Sequence, residues 1–324
     1  MVKVLSDVVS NIEESIRGIR IDQVGSRLLN KMGDGHNSVT VLYGRCTVRE
    51  CVQSPKQIET KIRMFLLDAY YKYCRFFVPL LLKRCGGNQG DLDTTCVQLE
   101  KYVIDLDRVK DQYVHSVSKR CNPHFQSSLG TLKAAVLKRD GGPLSAEVES
   151  LLALGITSDV VCGRLKYASV LCSFGEYNAA DVLITEALVR HSSDVAAICG
   201  CSKVRMFEFP EVFCMKWKEM LSNNTVEDST AFCVISVTNE TCAIPEVFRE
   251  LICPADGPPR DIVSIDPLPY LYALQYLICR YTPDSDRART ALKSLNDCVE
   301  TAHLYHPDTA AFIRDKCTHM DEPR

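Results

Sequence analysis

Two short acidic patterns are the first places in this sequence to look for chemistry. Asp91-Leu92-Asp93 and Asp105-Leu106-Asp107 each set two carboxylates two residues apart. On a β-strand that spacing turns both groups to one face. A nucleotidyltransferase uses such a pair to hold two metal ions, which align a triphosphate with the attacking hydroxyl. The same chemistry needs a glycine-serine turn shortly upstream and a third acid on a neighbouring strand. Gly25-Ser26 is present, but the lone Asp34 follows it, and Gly86-Gly87 stands too close to Asp91. Asp105 falls in a helical pattern, where residues two apart point to different faces. We read Asp91 and Asp93 as a helix entry, Asp105 and Asp107 as a solvated surface, and assign no catalytic residue.

Other chemistries find less support. Cys199-Gly200-Cys201 is too tight for a zinc knuckle, whose ligands stand two to four residues apart. His303 and His306, one helical turn apart, could join Cys317 and His319, yet a helix end with surface histidines explains them equally well. No metal ligand is assigned. No histidine and cysteine share the local setting of a base and a nucleophile. The glycine-rich stretch Gly86-Gly-Asn-Gln-Gly90 lacks the lysine and hydroxyl that follow in a phosphate-cradling loop, and no cofactor is expected. Lys61 to Arg84 interleaves cations with Phe65, Tyr70, Tyr71, Tyr73 and Phe76. The rings fall mostly on an apolar helical face, so core packing with a snorkelling cationic rim is favoured over a nucleic-acid surface.

Composition sets the frame. The chain has 324 residues, 46% hydrophobic and 24% charged, which excludes a disordered or fibrous protein. Net charge is -3, but unevenly distributed: residues 1–140 carry 22 Lys/Arg against 15 Asp/Glu, and residues 141–324 carry 16 against 26. The balances of +7 and -10 fit two units with different partners, or two that attract each other. The positive half permits nucleic acid without indicating it. Seventeen cysteines are scattered through the chain, several, such as Cys172, Cys279 and Cys298, inside apolar helical patterns where a reduced thiol acts as a small hydrophobe. Met1 leads into a segment broken by Asp7, Glu13 and Glu14, without the apolar core of a secretory signal. The longest apolar run, Phe76 to Leu82, is far below the roughly 20 residues of a spanning helix. These features predict a cytoplasmic or nuclear chain with reduced thiols and no membrane segment. The two Asn-x-Thr patterns at Asn223 and Asn239 then carry no glycosylation.

The elements that must position these residues are nearly all helical. Val4, Val8, Ile12 and Ile16 form one stripe, and Ser54-Pro55 opens a long helix through Phe77. Ser38 to Tyr43 is the strand candidate. A further helix is expected from about Thr94 to Lys119, and Asp140-Gly-Gly-Pro143 marks a boundary between regions 1–140 and 141–324. Beyond it the pattern becomes helix, turn, helix: Leu165 to Ser173 with Ala179 to Val189, then Phe207 to Leu221. A proline-rich loop, Cys253 to Pro259, precedes helices over Pro269–Arg280, Asp286–Ala302 and the residues after Pro307.

The first of these hairpins is the most specific local signal. Ala168, Leu171, Gly175, Tyr177, Ala180, Ile184 and Ala187 fall at the spacings of a tetratricopeptide unit. Small residues sit where the helices cross, glycine ends the first helix, and an aromatic follows the turn. The proline usual after the second helix is replaced by Ser192. One unit cannot bury its own apolar face and must stack on neighbours. An isolated hairpin inside a helical bundle reads similarly, and both remain open at this point.

Residues 160–318 also resemble a known tail. Arg164-Leu-Lys-Tyr-Ala168, Ile244-Pro-Glu-Val-Phe248, Ile265-Asp-Pro267, Pro269-Tyr-Leu-Tyr-Ala-Leu-Gln-Tyr-Leu277, Ala288-Arg-Thr-Ala-Leu-Lys-Ser-Leu295, His306-Pro-Asp-Thr309 and Cys317 carry the likeness. It is to the C-terminal helical region of invertebrate Mab-twenty-one-like proteins, relatives of cyclic GMP-AMP synthase. The resemblance implies a tetratricopeptide-like module preceded by a catalytic-type domain. That domain's glycine-serine turn and acidic pair would lie in residues 1–140, where the pattern departs as described. The expectation is therefore an all-α, non-catalytic helical-repeat protein that binds other proteins, a shortened relative or a fragment. The alternative is a divergent or inactive nucleotidyltransferase-fold protein that binds nucleic acid in innate immune sensing.

Overall fold

The structure, a computed structural model, describes residues 92–107, 112–191, 195–198, 230–260, 262–282 and 284–321. The expected helices before residue 91, the strand candidate at 38–43 and the helix at 207–221 lie outside these residues, as do Gly25, Ser26, Asp34 and Cys199 to Cys201.

The described chain is mainly helical. Helix α1 spans Leu92–Asp107 and α2 spans Gln112–Arg139. The helix expected over about Thr94–Lys119 is described in two stretches, to Asp107 and from Gln112, and residues 108–111 between them lie outside the described residues. Helix α2 continues through Pro123, a residue that removes one helical hydrogen bond. Its later turns bury Phe125, Leu129 and Leu132 in the main core, alongside Leu165, Leu274 and Tyr270. Burial on several sides holds the helix where local propensity would end it.

Asp140 to Pro143 forms a turn, with Gly141 at φ +71°. It does not separate two cores among the described residues: Leu99 and Phe125 before it pack with Leu165 and Tyr270 after it. Helix α3, Ala146–Gly155, starts where the Ser145 Oγ accepts from the Val148 N–H at 3.3 Å, with Glu147 and Glu149 in its first turn. A short 3-10 turn over Ile156–Ser158 leads to α4, Cys162–Phe174.

Glycines let these helices close up. A Cβ at Gly155 would lie 2.6 Å from the Cβ of Ser127 on α2. One at Gly163 would lie 2.0 Å from the carbonyl oxygen of Gly155. Backbone therefore packs against backbone where α4 begins beside the end of α3. Helix α4 ends at Gly175, whose φ of +83° is a left-handed cap. Its N–H donates to Cys172 O at 3.1 Å and that of Glu176 to Leu171 O at 2.9 Å, the paired bonds of a Schellman motif. Helix α5, Tyr177–Arg190, follows directly.

Two small sheets modify the all-α expectation. Strands β1, Ala196–Ile198, and β2, Thr230–Phe232, pair in parallel; β3, Val234–Val237, and β4, Ile262–Ile265, pair antiparallel. Val234-Ile-Ser-Val237 and Ile262-Val-Ser-Ile265 are each β-branched at three of four positions, and their extended form suits a buried pleat. Short 3-10 segments cover Thr238–Ala243 and Glu246–Leu251. Helix α6, Pro267–Tyr281, opens on prolines and buries Tyr270 and Tyr276. Helices α7, Ser285–Thr301, and α8, Pro307–Asp321, complete the described chain. Helix α6 packs on α4, α5, α7 and α8, placing it at the centre of the carboxyl-terminal half.

Candidate interaction face and the buried polar frame

Buried carboxylates are where catalysis would be sought, and Asp159, Glu240 and Asp266 are all buried. Each is committed to backbone or to a cation. Asp159 sits between the 3-10 turn and α4; its Oδ1 accepts from Val161 N and Cys162 N, capping the helix, while Oδ2 accepts from Phe232 N at 2.7 Å. Glu240 accepts from Val237 N at 3.1 Å through Oε2 and from Lys166 Nζ at 3.0 Å through Oε1. The Lys166 ammonium also donates to Ser128 Oγ at 3.3 Å, so one buried ion pair joins α2, α4 and the 238–243 turn. Asp266 accepts from Tyr305 N at 3.0 Å and His306 N at 2.7 Å, and the Cys233 thiol lies 4.0 Å away. All three acids thereby brace the segment 230–240 or the loops around it. Their chemistry is that of buried charge satisfied by hydrogen bonds.

Arg164 links this frame to the surface. Its Nη1 donates to the carbonyls of Ile156, Asp159 and Val160, and its Nε reaches Glu186 Oε2 at 3.4 Å. Burial, with Arg190 nearby, lowers its affinity for the proton from the ordinary guanidinium value. The fork crosses from α4 to α5 and holds Glu186 at the edge of the hairpin.

The hairpin residues singled out by spacing sit on α4, its cap and α5. Ala168, Leu171, Ala180, Ile184 and Ala187 are buried between the two helices and their neighbours, Gly175 is the left-handed cap, and Tyr177 is half-buried. Tyr177 stacks on Tyr281 of α6 with ring centroids 4.3 Å apart and planes 11° from parallel. Ser169 Oγ and Tyr270 Oη meet at 2.7 Å across α4 and α6. A bidentate pair, Arg287 to Asp181 at 2.8 and 3.0 Å, ties α7 to α5. The hairpin α4–α5 thus packs on the hairpin α6–α7 through its small residues and two polar links.

The opposite side of α5 faces outward. Val182 is 58% and Val189 80% exposed, one helical stripe with Asn178, Thr185 and Glu186. Thr185, Glu186, Val189 and Arg190 line a surface hollow of about 340 Å³. Sequence reasoning chose the inward residues of this hairpin and passed over these. Their signal was present: valines seven residues apart, beside the face that the alanines occupy.

The other sequence candidates are not brought together. Asp93, Asp105 and Asp107 all lie on α1, a helix, and Asp93 faces Arg139 at 3.4 Å; Asp91 lies outside the described residues. Cys317 is fully buried on α8, whereas His303 and His319 are exposed. Among the described residues no three histidine, cysteine or acidic side chains are grouped so that they could hold a metal ion. Nine cysteines with described side chains are free thiols, and burial pushes Cys96 and Cys298 up to about 11 and Cys172 and Cys317 to about 12. Asn239, in one Asn-x-Thr pattern, donates through Nδ2 to Thr95 Oγ1 at 3.0 Å, using the amide that glycosylation would need. No helix among the described residues is long and apolar enough to cross a membrane. Compared with protein families, curated proteins and solved structures, the chain matches none.

Proposed function

We propose that this chain is a non-catalytic helical scaffold that binds another protein through the outward face of the α4–α5 hairpin, and that the hairpin is a tetratricopeptide-like unit of the kind its resemblance to Mab-twenty-one-like tails implies. One observation carries the reading. Val182 and Val189 stand exposed on a helix whose other faces are braced by Arg164, Tyr177 and Asp181. A rigid element presenting apolar groups beside Glu186 and Arg190 suits recognition of a protein surface. The carboxylates that a nucleotidyltransferase would need are, where described, either on helix α1 or committed to backbone and lysine.

The test is affinity capture with the full chain as bait, comparing it with Val182→Glu and Val189→Glu variants. Proteins retained by the parent and lost from both variants, with unchanged circular dichroism, are the expected result. Equal capture by all three chains would refute this face, and capture no richer than an unrelated bait would refute the function. Salt-dependent binding to duplex DNA, unaffected by the two valines, would turn the reading toward the nucleic-acid alternative.

A further inference from the structure

We draw no further inference here: the strongest candidate, the outward stripe of α5 that carries Val182 and Val189, is an unpartnered apolar face already used for the proposed function, and nothing in the structure shows which particular partner covers it.

Discussion

Lys166 has a meaning that no local pattern in its helix announces. Its side chain is 8% exposed and that of Glu240 fully buried, with 3.0 Å between Nζ and Oε1. Removing one member leaves the other charge buried without its partner. Lys166→Met should therefore lower stability by about 3–5 kcal/mol, and pairing it with Glu240→Gln should return much of that loss. Urea unfolding of the single and double variants, followed by circular dichroism, checks both statements. The thiols give a second residue-scale outcome, with a direction in pH. Cys96, Cys172, Cys298 and Cys317 are raised to about 11 or 12 from an ordinary 9.0, chiefly by burial. The folded chain keeps these protons where the unfolded chain releases them. Their contribution to stability is complete below pH 9 and is lost as pH climbs from 9 toward 12. The urea midpoint should fall between pH 9 and 10.5, and replacing Cys172 and Cys317 with alanine should shallow that slope.

Helix packing turns on two glycines for two separate reasons. Gly163 has ordinary helical backbone, but a methyl there would meet the Gly155 carbonyl at 2.0 Å. Backbone, unlike a flexible side chain, has little room to give. Gly163→Ala should cost at least about 1–3 kcal/mol, the usual range for overpacking, and loosen the contact of α3 with α4. Gly175 has open space around its Cβ position but a φ of +83°. Gly175→Ala should cost about 1–2 kcal/mol through backbone strain alone. Hydrogen exchange separates the mechanisms: the first variant exposes amides at the start of α4, the second those at its end. The Arg287–Asp181 pair, partly exposed, should contribute only about 0.2–1 kcal/mol in a double-mutant cycle.

Across the whole molecule the two sides of the hairpin differ in burial. Alanines and Ile184 face inward and a substitution there is felt by the entire core. Val182 and Val189 face out, so Val182→Glu and Val189→Glu should change folding stability by less than about 0.5 kcal/mol, and under the proposed function both should abolish capture of a partner. Thermal unfolding beside the capture assay measures the two effects separately. The joined core across Asp140–Pro143 bears on how such a binding surface would behave. Leu99, Phe125 and Tyr270 belong to one cluster with Ala180, Ile184 and Ala187, so the inward side of α5 shares a core with residues on both sides of that turn.

Much of the helical layout was legible in the residues themselves. Gly175 is a local signal: it acts through its own backbone and needs no distant partner to be read. Pro269 and Pro307 mark helix starts for the same reason, though the first helix begins two residues earlier, at Pro267. Periodicity could also say that Ala168, Ala180 and Ala187 lie on an apolar face. It could not say that Lys166 pairs with Glu240, because 74 residues separate them. Nor could it reveal that Asp159 would hold the N–H of Phe232, or that α2 would run through Pro123. Those outcomes depend on which surfaces exclude water together, a property of the packed chain. The tertiary structure alone decided that Asp159 and Glu240 brace segment 230–240, that Asp266 holds the loop at Tyr305 and His306, and that the exposed valines of α5 look outward. These decisions rest on the cost of burying charge and the freedom of apolar groups that no described neighbour covers.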